Sequence, residues 1–147
     1  MPEVVDTVTL DVSPAALFAY LDDPTNQTEL TPGITEIRNV RPVETGGHES
    51  EYTYEMAGVE LTGSVSPVEH EPDRRIRFEI RGRIDGEIAW TLEPVDGGTE
   101  LTYAADYEIP GRVLSAAAAP LVRRYNERQV ATTLEALVER FGRLEGR

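Results

Sequence analysis

Residues 111–142, GRVLSAAAAPLVRRYNERQVATTLEALVERFG, decide how the rest of the chain must be arranged. Leu121, Tyr125, Val130, Leu134, Leu137, Val138 and Phe141 recur at spacings of three, four and five residues or fall beside one another, which puts them on one stripe of a 3.6-residue helix. Arg123, Arg124, Glu127, Arg128, Glu135, Glu139 and Arg140 cover the remainder. A helix divided in this way needs an apolar surface to lie against. Pro120 suits the first turn, where its missing N–H costs nothing, so a shorter helical stretch over 113–118 is expected before it, with a bend between the two. Gly142 is the expected C-terminal stop.

The surface comes from upstream. Leu101, Tyr103, Ala105 and Tyr107 alternate with polar residues, and the turn Asp96-Gly97-Gly98-Thr99 sets these odd positions against the even ones of the strand before, Ile88, Trp90 and Leu92. A two-residue loop at Asp85-Gly86 would break the pattern by placing Ile80 opposite Thr91. An odd-length connection such as Asp85-Gly86-Glu87 with a bulge returns Phe78, Ile80 and Ile84 to the face of Ile88, Trp90 and Leu92. A two-residue turn at Pro72-Asp73 sets Val65 opposite Ile80 and Pro67 opposite Phe78. Another, Ala57-Gly58, joins Tyr52, Tyr54 and Met56 to Val59, Leu61, Gly63 and Val65 on one face, and a positive φ is expected at Gly58. Gly46-Gly47-His48 reads as a loop, and 34–43 as a strand of poor alternation. Before it, Ser13-Pro14 and Asp23-Pro24 each cap a short helix, the first with Leu17, Phe18 and Leu21 on its apolar side, the second ending before Pro32-Gly33. Val4, Val8, Leu10 and Val12 open the chain as a strand. The sum is an antiparallel meander with one apolar face, closed by the terminal helix.

Composition bounds what such a domain can do. At 147 residues the chain is one domain, 1–147, and can bury roughly 70% of its unfolded surface. There is no Cys, so disulfides, thiolate metal sites and a Cys nucleophile are excluded. The opening MPEVVDTVTL carries two acids and no basic residue, and no apolar run approaches about 18 residues, so a cytoplasmic protein without membrane insertion is expected. Net charge is -13, and all 14 Lys/Arg positions are Arg. Nucleic acid and anionic membranes both need a positive footprint, and both are excluded as partners. An acidic, lysine-free surface resembles that of proteins from salt-loving microbes, because near 1 M salt the Debye length is about 3 Å and dense carboxylates stop repelling one another. His48 and His70 fall in no metal-ligand spacing, and neither a metal nor another cofactor is expected. The five arginines between Arg74 and Arg83 read as a charge-paired outer face, since Arg77, Arg81 and Arg83 oppose Phe78 and Ile80.

Three stretches carry a family resemblance: VSPAALFAYLDDPTNQTEL, IAWTLEPVDGGTELTYAADYEIPG and APLVRRYNERQVATTLEALVERF. Together they resemble the START-related, or SRPBCC, superfamily, which holds birch-pollen-allergen-like proteins, polyketide cyclases/dehydrases and lipid-transport proteins. The resemblance spans the chain and implies an α+β helix-grip fold: a curved antiparallel β-sheet wrapped around a long C-terminal α-helix, with two short helices after the first strand. It also implies an apolar cavity between sheet and helix. The family has no universal catalytic motif, so resemblance alone names no activity.

The register nominates the wall of that cavity: Tyr52, Tyr54, Met56, Leu61, Phe78, Trp90, Tyr103 and Tyr107 from the sheet, Leu121 and Tyr125 from the helix. Polar-tipped aromatics suit a site that holds a greasy or flat guest and orients it by a few hydrogen bonds; the plainer alternative is a dry core with satisfied hydroxyls. Gly63 opposite Tyr52, and the small residues 115–119, would leave the space. Two function classes follow. The first is binding or transport of a hydrophobic small molecule such as a lipid, quinone or polyketide-like aromatic, by a monomer or weak homodimer. The second is a cyclase or dehydratase acting on such a ligand, for which an inward acid or base is required. On this register the glutamates from Glu51 to Glu60, and Asp106, point outward, leaving only 22–31 and the neighbourhood of His48 to supply one. A dimerising partner of a toxin or chaperone system is a third class with no residue to support it.

Overall fold

The computed structural model describes residues 3–56, 58–108 and 119–144, and the backbone alone at Glu3, Met56, Tyr107, Glu108 and 119–123. The expected helical stretch over 113–118 lies outside the described residues. Strand β1, Glu3–Leu10, leads into helix α1, Pro14–Leu21, whose N-terminus is capped by Ser13 accepting the Ala16 N–H at 3.2 Å. Asp23 repeats the device by accepting the Thr25 N–H at 3.0 Å, and the 3-10 turn Pro24–Asn26 runs on into α2, Gln27–Leu30. Six strands follow: β2 Ile34–Pro42, β3 His48–Met56, β4 Val59–Glu71, β5 Arg75–Gly82, β6 Asp85–Val95 and β7 Gly98–Glu108. Helix α3, Ala119–Phe141, closes the fold.

All seven strands form one antiparallel sheet in the order β1-β7-β6-β5-β4-β3-β2. Because β1 and β2 are neighbours in the chain but opposite edges of the sheet, the segment containing α1 and α2 must cross from one edge to the other. It crosses the apolar face, where Leu17, Leu21 and Leu30 join the core. This is the helix-grip architecture that the resemblance implies.

The hairpins keep the expected face pairings, although two of the turns differ. Met56 pairs with Val59, so the first turn has two residues, and Gly58 has φ +81°. Trp90 pairs with Tyr103 through the two-residue turn Asp96-Gly97. Between β4 and β5 the loop is three residues, with Asp73 at φ +65°, and a register shift at Pro67/Glu69 leaves Val68 unpaired and exposed. The extra loop residue and the bulge cancel, so Val65 still meets Ile80 and Pro67 meets Phe78. Between β5 and β6 the parity is as expected, Phe78 opposite Ile88 and Ile76 opposite Trp90, but the turn sits at Arg83-Ile84. Asp85, Gly86 and Glu87 are already paired within β6. Gly82, at φ +124°, makes that tight reversal possible in place of the expected Asp85-Gly86-Glu87 loop. His48 is likewise no loop residue: it opens β3 opposite Pro42.

Helix α3 presents Asn126, Gln129, Val130, Thr133, Leu134 and Leu137 to the interior, a stripe at the expected period that includes three polar residues where only apolar ones were expected. Val138 and Phe141 pack at its margin. Gly142 ends it at φ +88°, its N–H donating to Val138 C=O at 2.8 Å. The chain then turns onto the edge of β1, where Asp11 N–H donates to Gly142 C=O and Leu144 N–H to Thr9 C=O, shielding an otherwise open edge.

The outer face of the sheet is polar. Glu69 takes Arg75 at 3.1 Å and Arg77 at 3.2 Å, Arg77 also reaches Glu87 at 3.1 Å, and Arg81 pairs with Glu79. The Arg75 and Arg77 guanidiniums hold the Glu69 carboxyl below the usual carboxylate range. The inner face carries two apolar clusters that do not merge. The larger joins Leu10, Leu17, Leu21, Ile76, Phe78, Trp90, Leu92, Leu101 and Tyr103 to Val130, Leu134 and Leu137; the smaller is Tyr52, Tyr54, Leu61, Ile80 and Ile84. Val65 and Ile88 touch both.

Candidate functional site

The gap between the two clusters is a partly enclosed hollow of about 100 Å³. A water's share of liquid volume is about 30 Å³, and an engineered apolar cavity of about 150 Å³ accepts benzene, so this space is on the scale of a small ring. It is smaller than the roughly 300–1,000 Å³ pockets that engulf drug-sized ligands. Each layer of the fold contributes wall. The β3 inner face supplies His48, Ser50, Tyr52 and Tyr54, which alternate along the strand. Strands β4 to β7 add Val65, Phe78, Ile80, Ile88, Trp90 and Tyr103, and Ile84 closes the β5–β6 turn. The crossing segment and β2 add Leu21, Pro24, Gln27, Thr31, Ile34 and Ile37, and α3 adds Tyr125.

Of the residues nominated from the sequence, Tyr52, Tyr54, Phe78, Trp90, Tyr103 and Tyr125 stand in this wall. Leu61 does not; it is buried in the smaller cluster. The side chains of Met56, Tyr107 and Leu121 lie outside the described residues. Sequence reasoning named 22–31 and the neighbourhood of His48 only as sources of an acid or base, and it missed β2, whose alternation is poor and whose pairing with β3 carries two register shifts. His48 was hidden by the glycines before it, although the alternation of Tyr52 and Tyr54 extends back to it.

Three arrangements give the wall its chemistry. Trp90 and Tyr103 stack at 4.0 Å between ring centroids with their planes 8° apart, a flat aromatic surface. Tyr52 lies across Gly63: a Cβ there would stand 2.6 Å from the Tyr52 hydroxyl. That hydroxyl donates to the Ile84 carbonyl at 3.5 Å, and burial raises its pKa, so Tyr52 serves as a donor rather than an anion. Third, the Tyr54 hydroxyl hydrogen-bonds that of Tyr125 and accepts Gln129 Nε2–H at 2.8 Å. The same amide donates to the Pro32 carbonyl at 2.7 Å, tying α3 to the start of β2, and Thr133 Oγ1 donates to the Gln129 carbonyl at 2.8 Å.

His48 differs from these. Its Nδ1 is sealed from solvent and meets no hydrogen-bond partner among the described residues. The other histidine, His70, is engaged: Nε2 lies 3.1 Å from Asp22 Oδ1, and the ring meets Phe18 edge-on at 5.2 Å beneath the Gly46-Gly47 turn. Among the described residues that line the hollow none is Asp, Glu, Lys or Arg. Among the described residues no group of three or more His, Asp or Glu is arranged to hold a metal ion. Nor is any described helix long and apolar enough to cross a membrane.

A family model described as "Polyketide cyclase / dehydrase and lipid transport" matches residues 1–142. The chain belongs to that family. Among solved structures, a START superfamily protein from Mycobacterium smegmatis superposes with a TM-score of 0.78 at 16% identity, covering 95% of this chain and 96% of that one. A Thermus thermophilus protein gives 0.73 at 22% identity, over 95% and 96%. The Zhui aromatase/cyclase from a Streptomyces species gives 0.72 at 16% identity, over 94% and 92%. At these identities the likeness is one of fold. No curated protein matches the sequence.

Proposed function

We propose that this family member binds a small hydrophobic molecule, aromatic or lipid-like, in the hollow between its two core clusters. The observation that carries the reading is the wall itself: among the described residues it is apolar and aromatic nearly throughout, without charged side chains, and interrupted by a few polar groups and one imidazole. A carboxylate or phosphate against the described part of this wall would lose hydration with no cation there to meet it, which favours a guest uncharged at that end. The size of the hollow implies that it takes a ring or chain end, with any larger remainder reaching through the mouth. Transport of lipid and cyclisation of a polyketide are both activities named by the family description; the imidazole of His48 in the lining is the one observation that favours the second.

The test is an NMR titration of the protein with toluene, paired with mass spectrometry of molecules extracted from purified protein. Shifts confined to amides of the wall are expected. Filling the hollow with Ile88→Trp should weaken toluene binding by about tenfold or more while the fold persists. Toluene that binds nowhere, or binds equally well to the filled variant, would overturn the proposal.

A further inference from the structure

A hollow of about 100 Å³ holds only one end of a guest, so the side chains just outside it decide what the other end can be. Where α2, the start of β2 and α3 meet, the lining comes to the surface: Gln27, Thr31, Ile34 and Tyr125 are half-buried, and Thr28, Pro32, Arg124 and Arg128 beside them are exposed. The Gln129 amide, bonded to the Pro32 carbonyl at 2.7 Å, holds this turn of α3 against the chain opposite. Going round the helix at about 100° per residue, buried Gln129 is followed by Tyr125, Arg128 and Arg124 in steps of about 40–60°. The two arginines therefore come next outward from the Tyr125 wall, and Arg128, three residues on, has its Cβ about 5–6 Å from that of Tyr125.

These arginines are unusual for this chain. Acids outnumber arginines 27 to 14, and the arginines of β2 and β5, with Arg140 and Arg143 at the end of α3, each reach a carboxylate. Among the described residues Arg124 and Arg128 reach none within 4.0 Å, although as an i, i+4 pair of like charges they repel one another across one helical turn. Residues 119–128 hold three Arg against Glu127 alone, a local charge of +2 in a chain of net -13. We propose that Arg124 and Arg128 form an anion site at the mouth, and that the guest is amphiphilic: an aromatic ring or chain end in the hollow, joined by a short linker to a carboxylate or phosphate that stays outside. Guanidinium forks match two oxygens of such a group, and an anion shared between them offsets their repulsion. The proposal rests on the reading that the hollow binds a small molecule.

Three probes separate the two ideas: toluene, 3-phenylpropionate and its neutral isostere 3-phenylpropanamide. In about 10 mM NaCl the native chain should bind the carboxylate about fivefold more tightly than the amide, the worth of two exposed ion pairs, and the preference should fade as NaCl approaches about 1 M. Arg124→Gln with Arg128→Gln should abolish the preference while toluene binding stays within about twofold. Arg74→Gln with Arg143→Gln, which removes equal charge from the β4–β5 turn and from beyond the end of α3, should preserve it. If toluene binds but the native chain does not prefer the carboxylate, or if both double variants lose the preference alike, the anion site is overturned and the binding hollow stands. If no probe binds the native chain, both fall. Should the mouth variant not fold, the native chain decides: arginine Nε–H resonances of Arg124 and Arg128 unmoved by saturating 3-phenylpropionate overturn the proposal.

Discussion

Gly63→Ala isolates how tightly the sheet is built behind the hollow. Gly63 pairs with Gly82 where β4 and β5 diverge, and a Cβ added to it would lie 2.1 Å from the Arg81 carbonyl oxygen and 2.6 Å from the Tyr52 hydroxyl. The second contact can be relieved by swinging a side chain; the first is against backbone, and relief requires β5 to move by about an ångström or the Gly63–Gly82 pairing to open. Overpacking of this kind costs typically 1–3 kcal/mol and more where backbone must yield, so about 3 kcal/mol is expected. For a domain of this size that is a fall in Tm of roughly 6–12 °C. Gly58→Ala is the matched control: nothing stands within 4 Å of the added Cβ, and only the positive φ resists it, at about 1 kcal/mol. Urea and thermal unfolding of both variants measure the difference. If Gly63→Ala lies within about 1 kcal/mol of the native chain, the close approach of β4 and β5 is wrong, and with it the position of Tyr52 in the wall.

Three further outcomes are expected. Gln129→Met removes the amide that joins Tyr54 to the Pro32 carbonyl; because Pro32 is exposed to water and Tyr54 keeps Tyr125, the loss should be about 1–2 kcal/mol in urea unfolding, and an unchanged midpoint would refute the tie. The Tyr20 phenol is pushed up to about 12 by burial first and then by its hydrogen bond to Glu29, against an unfolded value near 10. Between pH 10 and 12 the unfolded chain therefore holds fewer protons than the folded one, and stability falls with rising pH; Tyr20→Phe should lose less stability than the native chain in that window, whereas parallel pH profiles would contradict the assignment. With a net charge of -13, the native chain should melt at higher temperature as KCl rises into the molar range, and a flat or falling curve would show that surface repulsion is not limiting.

Face pairing was legible in the sequence because the side-chain period in a strand is two, so any solution that buried Val65, Phe78 and Trp90 together had to keep the parity of the loops. Loop position was not, because parity does not say where a turn sits. Asp85-Gly86 carries the strongest turn signal between Phe78 and Ile88, yet Gly86 pairs with both Ile80 and Tyr107, and the reversal is made just before it, at Arg83-Ile84. The bulge at Val68 escaped for a related reason: it cancels the additional loop residue at Arg74 and leaves no trace in the pairs on either side. The interior of α3 was legible only in its spacing. Asn126, Gln129 and Thr133 are polar and do not belong to the apolar stripe read from the sequence, and tertiary partners such as Tyr54 make the burial of Gln129 tolerable. The wall follows the same division. Tyr52, Tyr54, Trp90 and Tyr103 sit where alternation puts them, while Pro24, Gln27 and Thr31 arrive by an edge-to-edge crossing that no local pattern encodes.

That division also limits what chemistry the hollow can support. A cyclisation or dehydration needs a group that removes a proton and one that stabilises charge developing on oxygen. Tyr52 can do the second, since burial keeps its phenol protonated and its hydroxyl is only loosely held by the Ile84 carbonyl at 3.5 Å. The first role has far fewer claimants. Among the described residues the lining contains no carboxylate, and a phenol is a poor proton acceptor, so the candidate there for taking a proton from a guest is the imidazole of His48. Binding and turnover would then separate at one position. His48→Gln, which keeps a hydrogen-bonding side chain but no imidazole, should retain toluene affinity within about threefold and lose any proton transfer from a bound enolisable ketone, read as solvent deuterium exchange at the ketone's α-carbon. Exchange that continues unchanged in His48→Gln would assign proton removal to another group.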